Sequence, residues 1–292
     1  MCADLSGVLS PGDAENQPPI RAIWLGTQLR EMRESARLTV RDLGKKLHKG
    51  GSTVSRMELA QYPVSTEDVT AYVDMCGVTD PHRRTDLLTI CRDVSQRGWW
   101  NGYSNDVAPT LMDIAWMESK ATTIASFNAT YFPGLLQVPG YAEALMRAKN
   151  PQTPSIDIER WVDMRMKRQL TLTQHNPVRF LSVIDEQMFA NPVGDTNTWT
   201  LQLDHLLRAT EHENVDLRIL PAGTCTGFEG PFQVFNLVSP YPTVAYVATA
   251  AGDICVEGQA VQRLVSGYER LQEMSLDARA SRKVIRAERD KL

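Results

Sequence analysis

Residues 23–60, IWLGTQLREMRESARLTVRDLGKKLHKGGSTVSRMELA, decide the fold of the first part of the chain. Leu25, Leu29, Met32 and Ala36 recur at helical spacing and mark one apolar face. Thr39 is a good N-cap for a second helix that carries Val40, Leu43 and Leu47 on its buried side. After His48-Lys49-Gly50-Gly51, a third helix places Ser52, Thr53, Ser55 and Arg56 on one face and Val54 and Met57 on the other. Two helices joined by so tight a turn need a small residue where they cross, and Gly44 supplies it. This spacing predicts helix-turn-helix geometry, in which the second helix of the pair is offered to a DNA major groove.

Leu38-Thr39, opening helix two, and Ser52-Thr53-Val54-Ser55-Arg56, followed by Glu58, resemble the Cro/C1-repressor-like, or Xre-type, helix-turn-helix family. Three positions depart from its pattern. His48 stands where the turn usually has a glycine, Gly50 where a serine caps helix three, and Val40 where a glutamine follows the threonine. The turn position often needs positive φ, which His tolerates better than most residues.

The wider composition sets the frame. At 292 residues the chain is long enough for two cores, and its 42% hydrophobic and 23% charged content is ordinary for a globular protein. No apolar run reaches membrane-spanning length, and without a basic-then-apolar start no signal peptide is expected. The five cysteines are odd in number, widely spaced and without a CxxC pair, which reads as reduced thiols in a cytoplasmic protein. The five histidines do not fall beside them at ligand spacing, so no metal and no cofactor is expected. Residues 21–60 carry nine basic and four acidic side chains, a net +5 in a chain of net −4, so the remainder carries −9. A basic head on an acidic body concentrates attraction for phosphate at one end.

Read in order, residues 1–19 hold Pro11, Gly12, Pro18 and Pro19 without periodicity and are expected to form a disordered leader. Two more helices follow the first three. One is capped at Ser65 and closed by Gly77, and the other starts at Asp80-Pro81, completing a head over 20–97. Gly98-Trp99-Trp100-Asn101-Gly102 opens a linker, 98–107, whose tryptophans are too apolar for a free tether and are expected to dock on one of the domains.

Residues 108–292 read as an α+β domain. A helix from about Leu111 leads to a strand over Thr122–Tyr131 and a rigid proline-glycine turn at 133–140. Helices follow at Tyr141–Lys149 and from Ile156 to about Thr173. Val178–Asp185 and Val215–Leu220 read as buried strands flanking a helix over Trp199–His212. Phe232–Val238 and Thr243–Ala250 follow as strands, then helices over Gln259–Glu273 and Ala278–Asp290. The expected class is α+β overall: an all-α helix-turn-helix head, then a larger α+β domain with a mostly antiparallel sheet.

The head together with Trp99-Trp100, Pro133-Gly134-Leu135-Leu136-Gln137 and Tyr141-Ala142 resembles a group of actinobacterial two-domain regulators. Some are WhiJ-like and some antitoxin-like, and the C-terminal half is a domain of unknown function. Arg165, Arg168-Gln169, Val183-Ile184-Asp185-Glu186, Leu220-Pro221 and Gly227-Phe228 extend the resemblance, while Val138-Pro139 stands where the pattern has threonine-proline. The resemblance implies a transcriptional regulator. In many members a small acidic protein encoded nearby is the proposed partner, and an antitoxin-like protein that neutralises such a partner is the alternative.

For double-stranded DNA, Ser52, Thr53, Ser55 and Arg56 are the expected base-reading residues, Arg56 by bidentate bonding to guanine. Thr39, Arg41 and Lys49 are the expected phosphate anchors. The competing reading of Arg56 is an internal pair, for example with Glu58. One recognition helix buries little surface, so a homodimer on two half-sites is expected.

An enzyme is the less favoured reading. Asp185-Glu186, His175, His205, His212, Cys225 and Asp253 are the groups available, but GxSxG, HExxH, GxxxxGK and GxGxxG are all missing. Asp185 reads more simply as an N-cap, and His205 and His212 share a helix face without a third ligand. A third reading is an effector- or partner-binding body lined by Trp99, Trp100, Phe132, Tyr141, Trp161 and Phe228. Aromatics of this kind are more often core than pocket lining.

Overall fold

The computed structural model describes residues 18–228, 230–249 and 252–292. Most of the leader expected over 1–19, with Cys2, lies outside them. The chain divides into two compact units, residues 1–104 with 108–113, and residues 105–107 with 114–292.

Among its described residues, the first unit holds in full the α-helices α1 (Ile20–Ser35), α2 (Val40–Lys46), α3 (Gly51–Glu58), α4 (Thr66–Met75) and α5 (Pro81–Ser95). Leu25, Leu29, Leu43, Val54, Val69, Leu87 and Ile90 form its buried core, so the apolar faces read from the sequence are the ones that pack. α2 and α4 each open with a capping box, Thr39 with Asp42 and Ser65 with Asp68. Asp80 caps α5 ahead of Pro81.

α1 through α4 all end in the same way. In each, the residue after the C-cap turns left-handed and two amides fold back on the last carbonyls. Arg37 (φ 55°), His48 (φ 54°), Ala60 (φ 56°) and Gly77 (φ 71°) hold that position. In α2, His48 N donates to Lys45 O and Lys49 N to Gly44 O.

Close approaches need the two glycines of this unit's core. A Cβ on Gly44 would stand 2.8 Å from Lys49 O, and one on Gly26 would stand 2.4 Å from Glu58 O. Gly44 therefore clears the turn and the start of α3, as its place in the sequence implies. Gly26 lets α1 rest on the last turn of α3.

A 3-10 turn over Trp99–Tyr103 also lies in this unit. Trp100 and Tyr103 are buried, and Trp99 is 40% exposed, its ring edge-on to both.

The second unit is built on a six-stranded mixed sheet: β1 (Ala121–Asn128), β2 (Arg179–Asp185), β3 (Val215–Leu220), β4 (Phe232–Leu237), β5 (Val244–Thr249) and β6 (Gly252–Val256). The order is β3-β2-β1-β4-β5-β6. β1 pairs antiparallel with β4, and β4–β5 and β5–β6 are antiparallel as well. The sheet is therefore mostly antiparallel, as expected. β1–β2 and β2–β3 are parallel, and their crossovers run through α7 (Pro139–Lys149) with α8 (Ser155–Arg168), and through α9 (Thr196–Ala209). Phe180, Ser182, Val183 and Ile184 of β2 are buried, as are Val215, Leu217, Ile219 and Leu220 of β3, whose Asp216 and Arg218 are half-buried between them.

α6 (Pro109–Lys120) precedes β1, and α10 (Gln259–Met274) and α11 (Ala278–Arg289) close the chain. Val261, Tyr268 and Leu271 of α10 bury against Ala125, Phe127, Phe232, Val234 and Ala245.

Two readings need correction. The helix expected from Ile156 to Thr173 stops at Arg168 and tightens into a 3-10 turn, Gln169–Leu172. There Gln169 donates to Gly134 O and Gln137 O, and Thr171 to Glu118 O, bonds that a continuing helix would not align. β6 went unread because five residues beginning with Gly252-Asp253 carry too little alternation to stand out.

α1 begins five residues ahead of Leu25, the first position of its expected apolar face, for a reason no local pattern shows. Its first amide, Ile20 N, donates to Asp113 Oδ2 at 3.0 Å, and Arg21 Nη1 lies 3.5 Å from Asp113 Oδ1. Burial pushes the Asp113 carboxyl up to about 6, against the opposing pull of Ile20 N and Arg21. The folded state therefore holds this proton more tightly than the unfolded chain, and the stabilisation it brings is lost as pH rises through about 6. Between pH 5 and 7, wild type should lose about 1 kcal/mol relative to Asp113→Asn, measured as paired urea midpoints.

Candidate nucleic-acid interface

α3 is fixed from behind by one buried ion pair. Glu58 Oε1 accepts from Arg33 Nε of α1 at 2.6 Å and from the Tyr72 hydroxyl of α4 at 2.6 Å, and Glu58 Oε2 accepts from Arg33 Nη2 at 2.9 Å. Arg33 Nη1 reaches on to Leu38 O at 2.8 Å, tying down the chain just before α2. The side chains of Arg33 and Glu58 are 10% and 5% exposed. Glu58 holds the Arg33 guanidinium above its ordinary range, while burial and then Glu58 raise the Tyr72 hydroxyl.

With Val54, Met57 and Glu58 facing inward, the opposite side of α3 faces solvent. Ser52 and Arg56, one turn apart, are exposed, and Thr53 and Ser55 are half-buried beside them. The four expected base-reading residues thus share the outer half of α3, with Ser52 and Thr53 at its N-terminal end.

Arg56 does not pair with Glu58, whose two oxygens are taken inside. Arg56 Nη2 donates to Gln61 O at 3.2 Å, and its guanidinium sits 5.8 Å from the centre of the Tyr62 ring. Both contacts orient the side chain and leave it exposed.

The expected phosphate anchors divide. Arg41 is exposed on α2, and its side chain makes no hydrogen bond or ion pair among the described residues. Thr39 is exposed, but its hydroxyl both donates to Asp42 Oδ2 and accepts from Asp42 N, and this holds the Asp42 carboxyl below its usual range. The Lys49 ammonium is 3.0 Å from Asp68 Oδ1 and 5.9 Å from the Tyr62 ring, so it binds α3's approach to the start of α4. Sequence reasoning missed Tyr62, which lies under both cations. It also passed over Lys45 and Lys46, exposed on α2 beyond Arg41. Run lengths of charge could have pointed to the lysines, but nothing local marks Tyr62.

The other groups weighed from the sequence are scattered over the second unit. Asp185 Oδ1 accepts from Gln187 N at 2.8 Å and so caps a short turn, and Glu186 Oε2 accepts from Ala222 N. His205 and His212 share a groove of about 390 Å³ with Arg208, Leu135 and Leu172, and burial, then Arg208 and His212, lower His205. His175 and Cys225 are exposed. No three His, Cys, Asp or Glu side chains among the described residues are placed to hold a metal ion. Phe132, Tyr141 and Trp199 stack together in the core, and Phe228 packs on Phe127 and Phe232.

Residues 24–87 match a helix-turn-helix domain family, which marks the first unit as one of the folds that present a helix to DNA. Residues 111–287 match the family described as Domain of unknown function (DUF5753), and the chain belongs to that family. No curated protein and no solved structure matches it.

Two changes test how α3 is held. Glu58→Gln strands a buried guanidinium and should cost about 3–5 kcal/mol in urea unfolding. His48→Gly relieves a left-handed residue at an exposed helix end and should raise stability by about 0.5–1 kcal/mol in the same measurement.

Proposed function

We propose that this chain is a sequence-specific DNA-binding transcriptional regulator that acts in the cytoplasm, with an Xre-type head as output and the second unit as input. The observation that carries the reading is the outer face of α3, where Ser52, Thr53, Ser55 and an oriented Arg56 stand on a helix clamped from behind by Arg33, Glu58 and Tyr72. A helix that reads base edges must be held rigidly, because bidentate Arg–guanine bonding tolerates little misplacement. The exposed cations of α2, Arg41, Lys45 and Lys46, supply sequence-independent attraction to phosphate.

One such helix spans too few base pairs for a useful specificity ratio, so the working form is a homodimer reading two half-sites about one helical turn apart. The second unit receives the signal, a small molecule or a small partner protein. It shifts DNA affinity only as far as that molecule distinguishes the two arrangements of the heads. We read the second unit as a binding domain and not as an enzyme, and turnover of any substrate by the full chain would count against that. No helix among the described residues is long and apolar enough to cross a membrane, which suits a DNA-bound protein.

The test is binding to the DNA upstream of the protein's own gene. Binding should survive about 150 mM salt and fall by roughly tenfold or more in Arg56→Ala, the loss of one bidentate base contact. Arg41→Ala should weaken all sequences alike and reduce the salt slope by about 1. Equal, salt-labile binding to any duplex would remove sequence specificity from the reading.

A further inference from the structure

Where α8 passes the turn at Gly134–Leu136, the second unit keeps cationic donors that no partner among the described residues satisfies. Arg165 Nη1 donates to Gln137 Oε1 at 2.6 Å, and that is its only hydrogen bond among the described residues. Its Nε is buried with no acceptor, and no carboxylate among the described residues lies within ion-pair distance. Arg168, one turn on, gives Nε and Nη2 to Glu118 and leaves Nη1 over.

The two guanidinium groups meet at a glycine. A Cβ on Gly134 would stand 3.8 Å from Arg165 Nε and 4.0 Å from Arg168 Nη1, with nothing nearer. With no side chain at residue 134, the Cβ position between the two guanidinium groups is empty. Lys149, whose ammonium lies 4.6 Å from the centre of the Tyr131 ring, is a third positive charge nearby, held below its ordinary range by burial and then by Arg165. Burial and then the charge of Arg168 push Arg165 down to about 10, so it remains cationic at neutral pH but poorly compensated. The groups facing this cluster are Glu118, Asp253 and the Tyr141 hydroxyl.

The structure assigns the recess beside Gly134, between Arg165 and Arg168, as a binding site for the carboxylate of a small organic acid. Charge selects the ligand class. Glu118 cancels Arg168, and Asp253 offsets Lys149, so one positive charge on Arg165 is left to be met. A monoanion meets it, whereas a phosphate dianion would bring surplus negative charge beside Glu118 and Asp253. Geometry agrees, since one open nitrogen on each guanidinium, Arg165 Nε and Arg168 Nη1, can meet the two oxygens of a carboxylate. The site stands on these contacts alone; its role as the regulator's input rests on the function proposed above.

Isothermal titration of the full chain with benzoate, acetate and inorganic phosphate at constant ionic strength tests the assignment. The carboxylates should bind, and Arg165→Met should weaken them tenfold or more. Gly134→Ala should do the same without harming the fold, because its Cβ meets nothing closer than 3.8 Å yet fills the space an acceptor oxygen needs. Lys167→Met, which removes an exposed cation from the same helix, should change binding less than twofold. No carboxylate binding, tighter binding of phosphate, or an equal loss in Lys167→Met would overturn the site. DNA binding measured with and without benzoate separates the two ideas. A changed DNA affinity supports the input role; benzoate binding with unchanged DNA affinity upholds the site and overturns that role.

Discussion

The pose of α3 depends on the Arg33–Glu58 pair and the Tyr72 hydroxyl that shares it. Burying two charges is costly, and their attraction offsets the cost only when each remaining lone pair and proton finds a partner. Here both carboxylate oxygens are used, and three guanidinium nitrogens donate, one of them to Leu38 O. What the arrangement brings is a single register. α1, α3 and α4 contribute one member each, so α3 cannot rotate about its axis without breaking all of them. The inward set by Glu58 then dictates that Ser52 and Arg56 point out.

The second unit solves a related problem with amides. The proline-glycine turn at 132–138 buries backbone groups that no helix or strand can pair. Three glutamines serve them. Gln137 donates to Phe132 O, Gln169 to Gly134 O and Gln137 O, and Gln202 donates to Leu136 O while accepting from Val138 N. Arg168 with Glu118, and Thr171 on the Glu118 carbonyl, extend the same well-satisfied layer. Against so complete an accounting, the orphaned Nε of Arg165 is conspicuous, because a buried donor left unmade is costly unless a ligand completes it.

The head was legible because its determinants are local. Capping boxes at Thr39 and Ser65, the Asp80-Pro81 start, Gly77 and the apolar spacing of α1 to α3 are short-range signals, and each sits where the sequence placed it. The positive φ tolerated at His48 was legible for the same reason. The solvent-facing side of α3 followed from periodicity alone. What Arg56, Lys49 and Tyr62 do to one another was not legible, since charge pairing across a turn depends on angles that spacing does not carry. In the body, strand positions were readable from apolar runs. The parallel pairing of β1, β2 and β3 depends on crossovers packing as they do, and β6 had no pattern to read.

By itself the sequence determined the class of the chain: an all-α helix-turn-helix head carrying net positive charge, and a larger α+β domain with an excess of acids. These properties follow from residue type and near-neighbour spacing, which fold with little choice. Tertiary structure alone decided which charges cancel. Glu58 could have served Arg56 beside it, yet serves Arg33, 25 residues away, and Asp113 reaches 93 residues back to start α1. Ion pairs form where packing removes water, and packing brings together groups whose distance along the chain says nothing of their distance in space.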